Sequence, residues 1–328
     1  MTAYVLSLVL LAAPGPLQTA TEAERPIFRF ETDEFWLNLH HFLYVLGRHE
    51  AGEPDATREA VAGAPVDAAG GLTRLSEDEQ RRWRQAVSDY AAGMSRRDAV
   101  FDESLPALVH ALASAGEAPT LDGLPVEPAA RAVLEAAAPM YRKAWWSAHR
   151  DANIAWVRRV TPLIEQHGQQ VLDYITRAYD LPWSASGYPV HVSAYSNWAG
   201  AYSTTGDLLV MSSLAVGNTG LYGLEIAFHE AMHQWDDAIW PQLLEHTRGK
   251  GIRISRSVTH AMIFYTAGAA VRAVAPGHVP YAEAFGIWER GFGQFRPALA
   301  GAWQAWLDGK GTRDEALAAV AAGAAIAR

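Results

Sequence analysis

The sequence predicts an α+β fold in which helices dominate. Long stretches repeat their apolar residues at helical spacing: Asp33 to Leu46, Ser76 to Met94, Ala129 to Tyr179 and Ser255 to Ala275. One short region, from Pro189 to Ser212, alternates instead and reads as a small cluster of strands, antiparallel or mixed. Half of the 328 residues are hydrophobic, enough to fill one large core or two moderate ones.

Taken in order, the first twenty residues carry an apolar run from Ala3 to Ala13, followed by Pro, Gly and small residues. That run has the length of a signal-peptide core and is far short of the roughly 20 residues a membrane span needs. Residues 1–20 are therefore expected to be a signal peptide cleaved near Ala20, and the chain to be exported to a periplasm or the extracellular space. No other stretch is long and apolar enough to span a bilayer.

Asp33 to Leu46 (DEFWLNLHHFLYVL) is apolar on nearly every side and predicts a buried helix. His40 and His41 within it point about 100° apart, and each reads as a core histidine with its own partner. Glu53 to Gly71, rich in Ala, Gly and Pro, reads as a loop or weak helix. Ser76 with Glu79 forms a capping box that opens the next helix, and Leu105 to Ala115 predicts another. Glu117 to Pro128 holds Gly and Pro clusters and is the best internal boundary, with Pro128 placed as a first helical residue. Ala129 to Tyr179 predicts two long helices, kinked or split near Pro162, with Trp145, Trp146 and Trp156 in the core.

Strands follow at Pro189–Tyr195, Ala199–Ser203 and Asp207–Ser212, with Thr205-Gly206 as a turn. A helix from Leu224 to Trp235 comes next, then a Gly-rich connection at Arg248–Arg253 that lacks phosphate-loop spacing. Ser255 opens a strong helix ending before Pro276. A helix is expected at Ala298–Leu307, and a last one capped by Thr312 and Glu315.

Charge and composition narrow the function. Only 19 % of residues are charged and the net charge is −9, which argues against nucleic acid or an anionic membrane as partner. The absence of cysteine excludes disulfides, thiol catalysis, iron–sulfur clusters and cysteine-based zinc sites. Any metal must be held by histidine and carboxylate.

His229-Glu230-Ala231-Met232-His233 reads HEAMH and fits H-E-x-x-H. On a helix, two histidines four apart stand one turn above each other and can reach one ion at about 2.0–2.1 Å. Glu230 is rotated about 100° from His229, out of that shell but within reach of a water on the ion. Zinc makes such a water acidic near neutral pH, and a carboxylate can take its proton. Burying two imidazoles and a carboxylate without partners would be costly, so a site is the better reading than a plain core helix. Asp236, three residues past His233, reads equally as a carboxylate that orients an imidazole and as one on the helix surface.

The motif and its setting, from Tyr188 to Ala275, resemble the zincin metallopeptidases. The resemblance implies a zincin-like catalytic core with strands before the active-site helix. It also implies Zn2+ held by His229 and His233, Glu230 as general base, and a peptide or protein substrate. In such enzymes an edge strand pairs with extended substrate, and Asn197–Tyr202 suits that role. Two family spacings fail here: Asp236 and Ile239 stand where one extension needs Gly and His, and Arg253 stands where another needs Glu.

The third ligand is therefore argued from the residues. Candidates downstream are Glu245, His246, His260, His278, Glu283 and Glu289. His260 lies mid-helix among Val258, Ala261, Met262, Ile263 and Phe264, where an imidazole needs a partner that packing on the HEAMH helix would supply. We assign His260, which makes the site gluzincin-like with His in place of Glu. Tyr265 and Tyr281 are candidate donors to an oxyanion. The expected organisation is a signal peptide at 1–20, an N-terminal helical region at 21–125, and a zincin-like core with C-terminal helices at 126–328. The expected function is zinc-dependent hydrolysis of peptide bonds. The alternatives are an exported helical protein that binds metal or a partner without turnover, and a zinc hydrolase of non-peptide amides or esters.

Overall fold

The structure is a computed structural model that describes residues 26–204 and 207–325. The expected signal peptide and the Thr205-Gly206 turn lie outside the described residues. Within them the chain is mostly helical with one four-stranded mixed sheet, the α+β class read from the sequence.

The sheet divides the molecule. Its strands are β1 (Phe28–Glu31), β2 (Tyr188–Ser193), β3 (Ala201–Thr204) and β4 (Leu208–Ser212), in the order β1-β2-β4-β3. β1 runs parallel to β2, β2 parallel to β4, and β3 antiparallel to β4. Side chains alternate across it, as the period of two demands. Val190, Val192, Leu209 and Met211 face one core, while Tyr202, Leu208 and Val210 face another. β1 was not anticipated. It is four residues long and pairs Phe28 with Tyr188, some 160 positions later, so no local pattern marks it.

On the first side lie α1 (Phe35–Ala51), α2 (Ala64–Leu72), α3 (Glu77–Ala92), α4 (Leu105–Ala115) and α5 (Pro128–Ala144). α1 is buried at every position from Phe35 to Arg48, as its all-round apolar sequence requires. It ends at Gly52, whose φ of 69° lets its N–H turn back to the Arg48 and His49 carbonyls. The Ser76–Glu79 capping box of α3 is formed in both directions. The segment read as loop or weak helix contains α2, which is fixed from outside. A Cβ on Gly71 would stand 2.0 Å from Trp145 Nε1, and that indole donates to the Asp67 carbonyl at 3.1 Å.

Of the kink or split expected at Pro162, the split falls elsewhere. α5 gives way to α6 (Trp146–Tyr179) at Trp145, and Pro162 sits inside α6. Pro162 removes the donor for the Arg158 carbonyl. Both residues are exposed, so water can replace that bond. The change of core falls at the same place: α5 packs with the first core and Trp156 with the second.

On the second side α7 (Gly220–Met232) and α9 (Ser257–Val274) pack together and against α6. α8 (Asp236–Thr247) lies between them in sequence. The expected Ala298–Leu307 helix is an Arg296–Ala298 turn, a wide turn at Leu299–Trp303 and a last turn at Gln304–Leu307. A closing helix, Arg313–Gly323, begins with the expected Thr312–Glu315 capping box. Among the described residues no helix is long and apolar enough to cross a membrane.

Candidate metal centre

α7 is buried without interruption from Gly223 to Met232, so its polar residues face protein. The helix ends at Met232, earlier than its periodicity suggests. His233 begins a 3-10 turn through Trp235, and α8 starts at Asp236. The two motif histidines still face each other, with ring centroids 5.3 Å apart.

His260 comes in from the first turn of α9. Its Nε2 lies 3.1 Å from His229 Nε2, and its ring lies 4.7 Å from that of His233. One nitrogen from each of the three rings falls within 4.8 Å of the other two. A tetrahedral ion with bonds of about 2.0–2.1 Å sets its ligands about 3.4 Å apart, so small side-chain movements bring all three to one centre. His233 Nδ1 is 2.7 Å from Asp236 Oδ2, which fixes that ring and leaves Nε2 for the cluster.

Charge favours the same arrangement. Burial, then the neighbouring His260 and His233, pushes His229 well below the ordinary imidazole value. Burial likewise lowers His260 to about 3, with His233 adding to it. Both rings are thereby neutral, which is the form that ligates metal. Burial also works against a charge on His233, but its hydrogen bond to Asp236 and the nearby Glu230 raise it above its ordinary value. Burial opposes the Asp236 carboxylate too, yet the His233 hydrogen bond keeps it low.

Three facing imidazoles cannot satisfy one another. A single N–H can serve one pair, and the third nitrogen then meets two others. His229 Nδ1 is in addition buried with no hydrogen-bond partner among the described residues. A cation answers the shared need of the three nitrogens, and an all-imidazole set suits zinc.

Glu230 is 8 % exposed. Its Oε2 accepts from Ser203 Oγ at 2.9 Å, and the same hydroxyl reaches the Glu230 carbonyl at 2.6 Å. Burial lifts this carboxyl above the ordinary value, with His233 and Ser203 opposing. Ser203 went unnoticed in the sequence because β3 and α7 meet only in the fold.

The other candidate ligands are engaged elsewhere. Glu245 pairs with Arg248 at 3.0 Å, His246 with Asp314 at 3.3 Å and Glu283 with Arg296 at 2.7 Å, while Glu289 is exposed beside Gly286. His278 is held firmly by its own partner: its Nε2 is 2.5 Å from Glu225 Oε2. Glu225, one turn before His229 on α7, also accepts the Tyr281 backbone N–H at 2.9 Å. It therefore ties the Pro276–Tyr281 turn to the motif helix. Tyr265 donates its hydroxyl to Gln304 at 2.8 Å, directing it to the C-terminal segment. Tyr281 lies against Phe285 and within electrostatic reach of Glu230. Burial pushes its phenol up to about 12, Arg290 opposing and Glu230 adding. Phe264 stacks on His260 at 4.7 Å and Phe292 meets its edge at 5.3 Å, which gives the cluster an aromatic wall.

No protein-family description, no characterised protein and no solved structure matches the chain.

Proposed function

We propose that the chain is an exported zinc-dependent hydrolase of the zincin kind that cleaves peptide bonds. One observation carries the reading: nitrogens of His229 on α7, His233 in the turn that follows it and His260 on α9 meet within 4.8 Å, with Glu230 next in sequence to the first of them. His229, His233 and His260 would hold Zn2+, and Asp236 would orient His233 from behind. Bound zinc supplies Lewis acidity, both to a water and to the carbonyl under attack.

The remaining steps belong to the chain's own residues. Glu230 takes a proton from the attacking water as its oxygen adds to the carbonyl carbon, then delivers a proton to the amide nitrogen as the C–N bond breaks. A carboxyl raised by burial suits both halves of that transfer. The Tyr281 phenol, protonated throughout the neutral range, is a candidate donor to the oxygen that gains charge. β3 lies at the sheet edge against α7, where an extended peptide can pair with it.

The test is zinc content and peptide cleavage of the Glu230→Gln variant beside wild type. The expectation is equal zinc and a fall in kcat of about 100-fold or more, the usual worth of general-base catalysis. Full activity with full zinc would refute the role of Glu230. A wild type that binds zinc and cleaves no peptide in a library would leave a binding protein without turnover.

A further inference from the structure

Ser203 stands where the edge strand and the carboxylate meet, and its backbone and side chain point to different things. The Ser212 N–H donates to the Gly200 carbonyl at 2.8 Å, which fixes the phase of the β3–β4 ladder. In an antiparallel pair, residues alternate between exchanging both hydrogen bonds with the neighbour and turning both groups away. With Ala201 opposite Met211 and Ser203 opposite Leu209, Tyr202 and Thr204 bond to β4. The N–H and C=O of Ala201 and Ser203 turn away from β4, which is the one strand beside β3 among the described residues.

Side chains on β3 alternate as well. Tyr202 points into the first core, where its hydroxyl is 2.7 Å from His41 Nε2. Ser203 points the other way, onto Glu230, with its hydroxyl on both the carboxylate and the carbonyl of that residue. The strand is thus pinned from both faces, and the residue that grips the acid turns its own backbone groups away from β4.

We propose that Ser203 is a positioning residue: from the edge strand its hydroxyl holds Glu230 Oε2 and so sets where the base stands. The inference rests on the hydrolase reading above.

The experiment compares wild type, Ser203→Ala and Ser203→Thr, each loaded with zinc for kinetics and with Co2+ for visible absorption. Ser203→Ala leaves the backbone intact, so KM is expected to hold while kcat falls about tenfold through loss of base placement. Ser203→Thr keeps a hydroxyl on a residue that suits strands, and it is expected to restore kcat to within about twofold. The Co2+ spectrum, read without substrate, is expected to change in Ser203→Ala and to return in Ser203→Thr. Equal kcat and equal spectra in wild type and Ser203→Ala would overturn the proposal. So would an equal loss in both variants, which would mark a packing effect and not a role for the hydroxyl. If wild type takes up Co2+ but cleaves no peptide, the peptidase reading fails. The spectra then still decide whether Ser203 holds Glu230. If wild type takes up no Co2+, both readings fall.

Discussion

Two sets of buried or half-buried histidines lie on opposite sides of the sheet, and they differ in what their nitrogens face. In the first core His40 meets the Tyr90 hydroxyl at 3.2 Å and His41 the Tyr202 hydroxyl at 2.7 Å. His149 sits between the Tyr141 hydroxyl at 2.8 Å and Asp67 at 2.7 Å. Each ring has a complementary partner on at least one nitrogen, although His41 Nδ1, like His229 Nδ1, is buried without one among the described residues. In the second core His229, His233 and His260 face one another. The lesson is that burial alone does not mark a functional histidine; the group opposite the ring does.

The sharpest way to break this contrast is to remove one member from each set. His260→Ala is expected to weaken zinc binding more than about 100-fold, beyond the usual effect of losing an outer-shell partner. His41→Ala is expected to lower stability and leave zinc affinity intact. Equilibrium dialysis and urea unfolding on the two variants separate the outcomes, and equal zinc affinities would erase the distinction.

Acid probes the first set. Burial holds His40 at about 4, against 6.5 for the free side chain. Between those values the unfolded chain binds a proton that the folded chain excludes, so the stability is present above pH 6.5 and is lost as pH falls toward 4. The loss is on the order of 3 kcal/mol for this residue. The measurement is the difference in unfolding free energy between pH 7.5 and 4.5, for wild type and His40→Gln. A slope unchanged by the substitution would clear His40.

The smallest effect is expected behind the metal. Asp236→Asn keeps the shape of the side chain but loses the charge that His233 Nδ1 leans on. Zinc affinity is expected to fall about tenfold, the lower end for such partners. Calorimetric titration of zinc into the variant checks it, and an unchanged affinity would leave Asp236 as a helix-start carboxylate only.

What could be read from the sequence follows the range of the forces involved. Capping boxes at Ser76 and Thr312, the Pro128 start and the all-round apolar α1 are local, and each was legible. The meeting of His260 with His229 and His233 was legible for a related reason: an imidazole on an apolar helix face requires a partner. Pro162 misled because the cost of a proline depends on whether the carbonyl it strands is wet, which only the fold decides. Ser203 and Glu225 were invisible because their partners come from other elements. His278 lies in a turn rich in Pro and Gly, a poor place for a fixed ring, yet Glu225 supplies the rigidity from below.

The pairing of β1 with β2 bears on how the protein is made. The ribosome delivers Phe28–Glu31 early and Tyr188–Ser193 much later, after about 10–30 s at ordinary rates of synthesis. Through that interval the first strand has no mate, while the helices of the first core are already complete and able to assemble. A fragment begun at residue 126 would never acquire its mate at all, and the bare flank of β2 would invite other chains to dock there. The half that carries the histidine trio is thus finished by a segment synthesised before any of it.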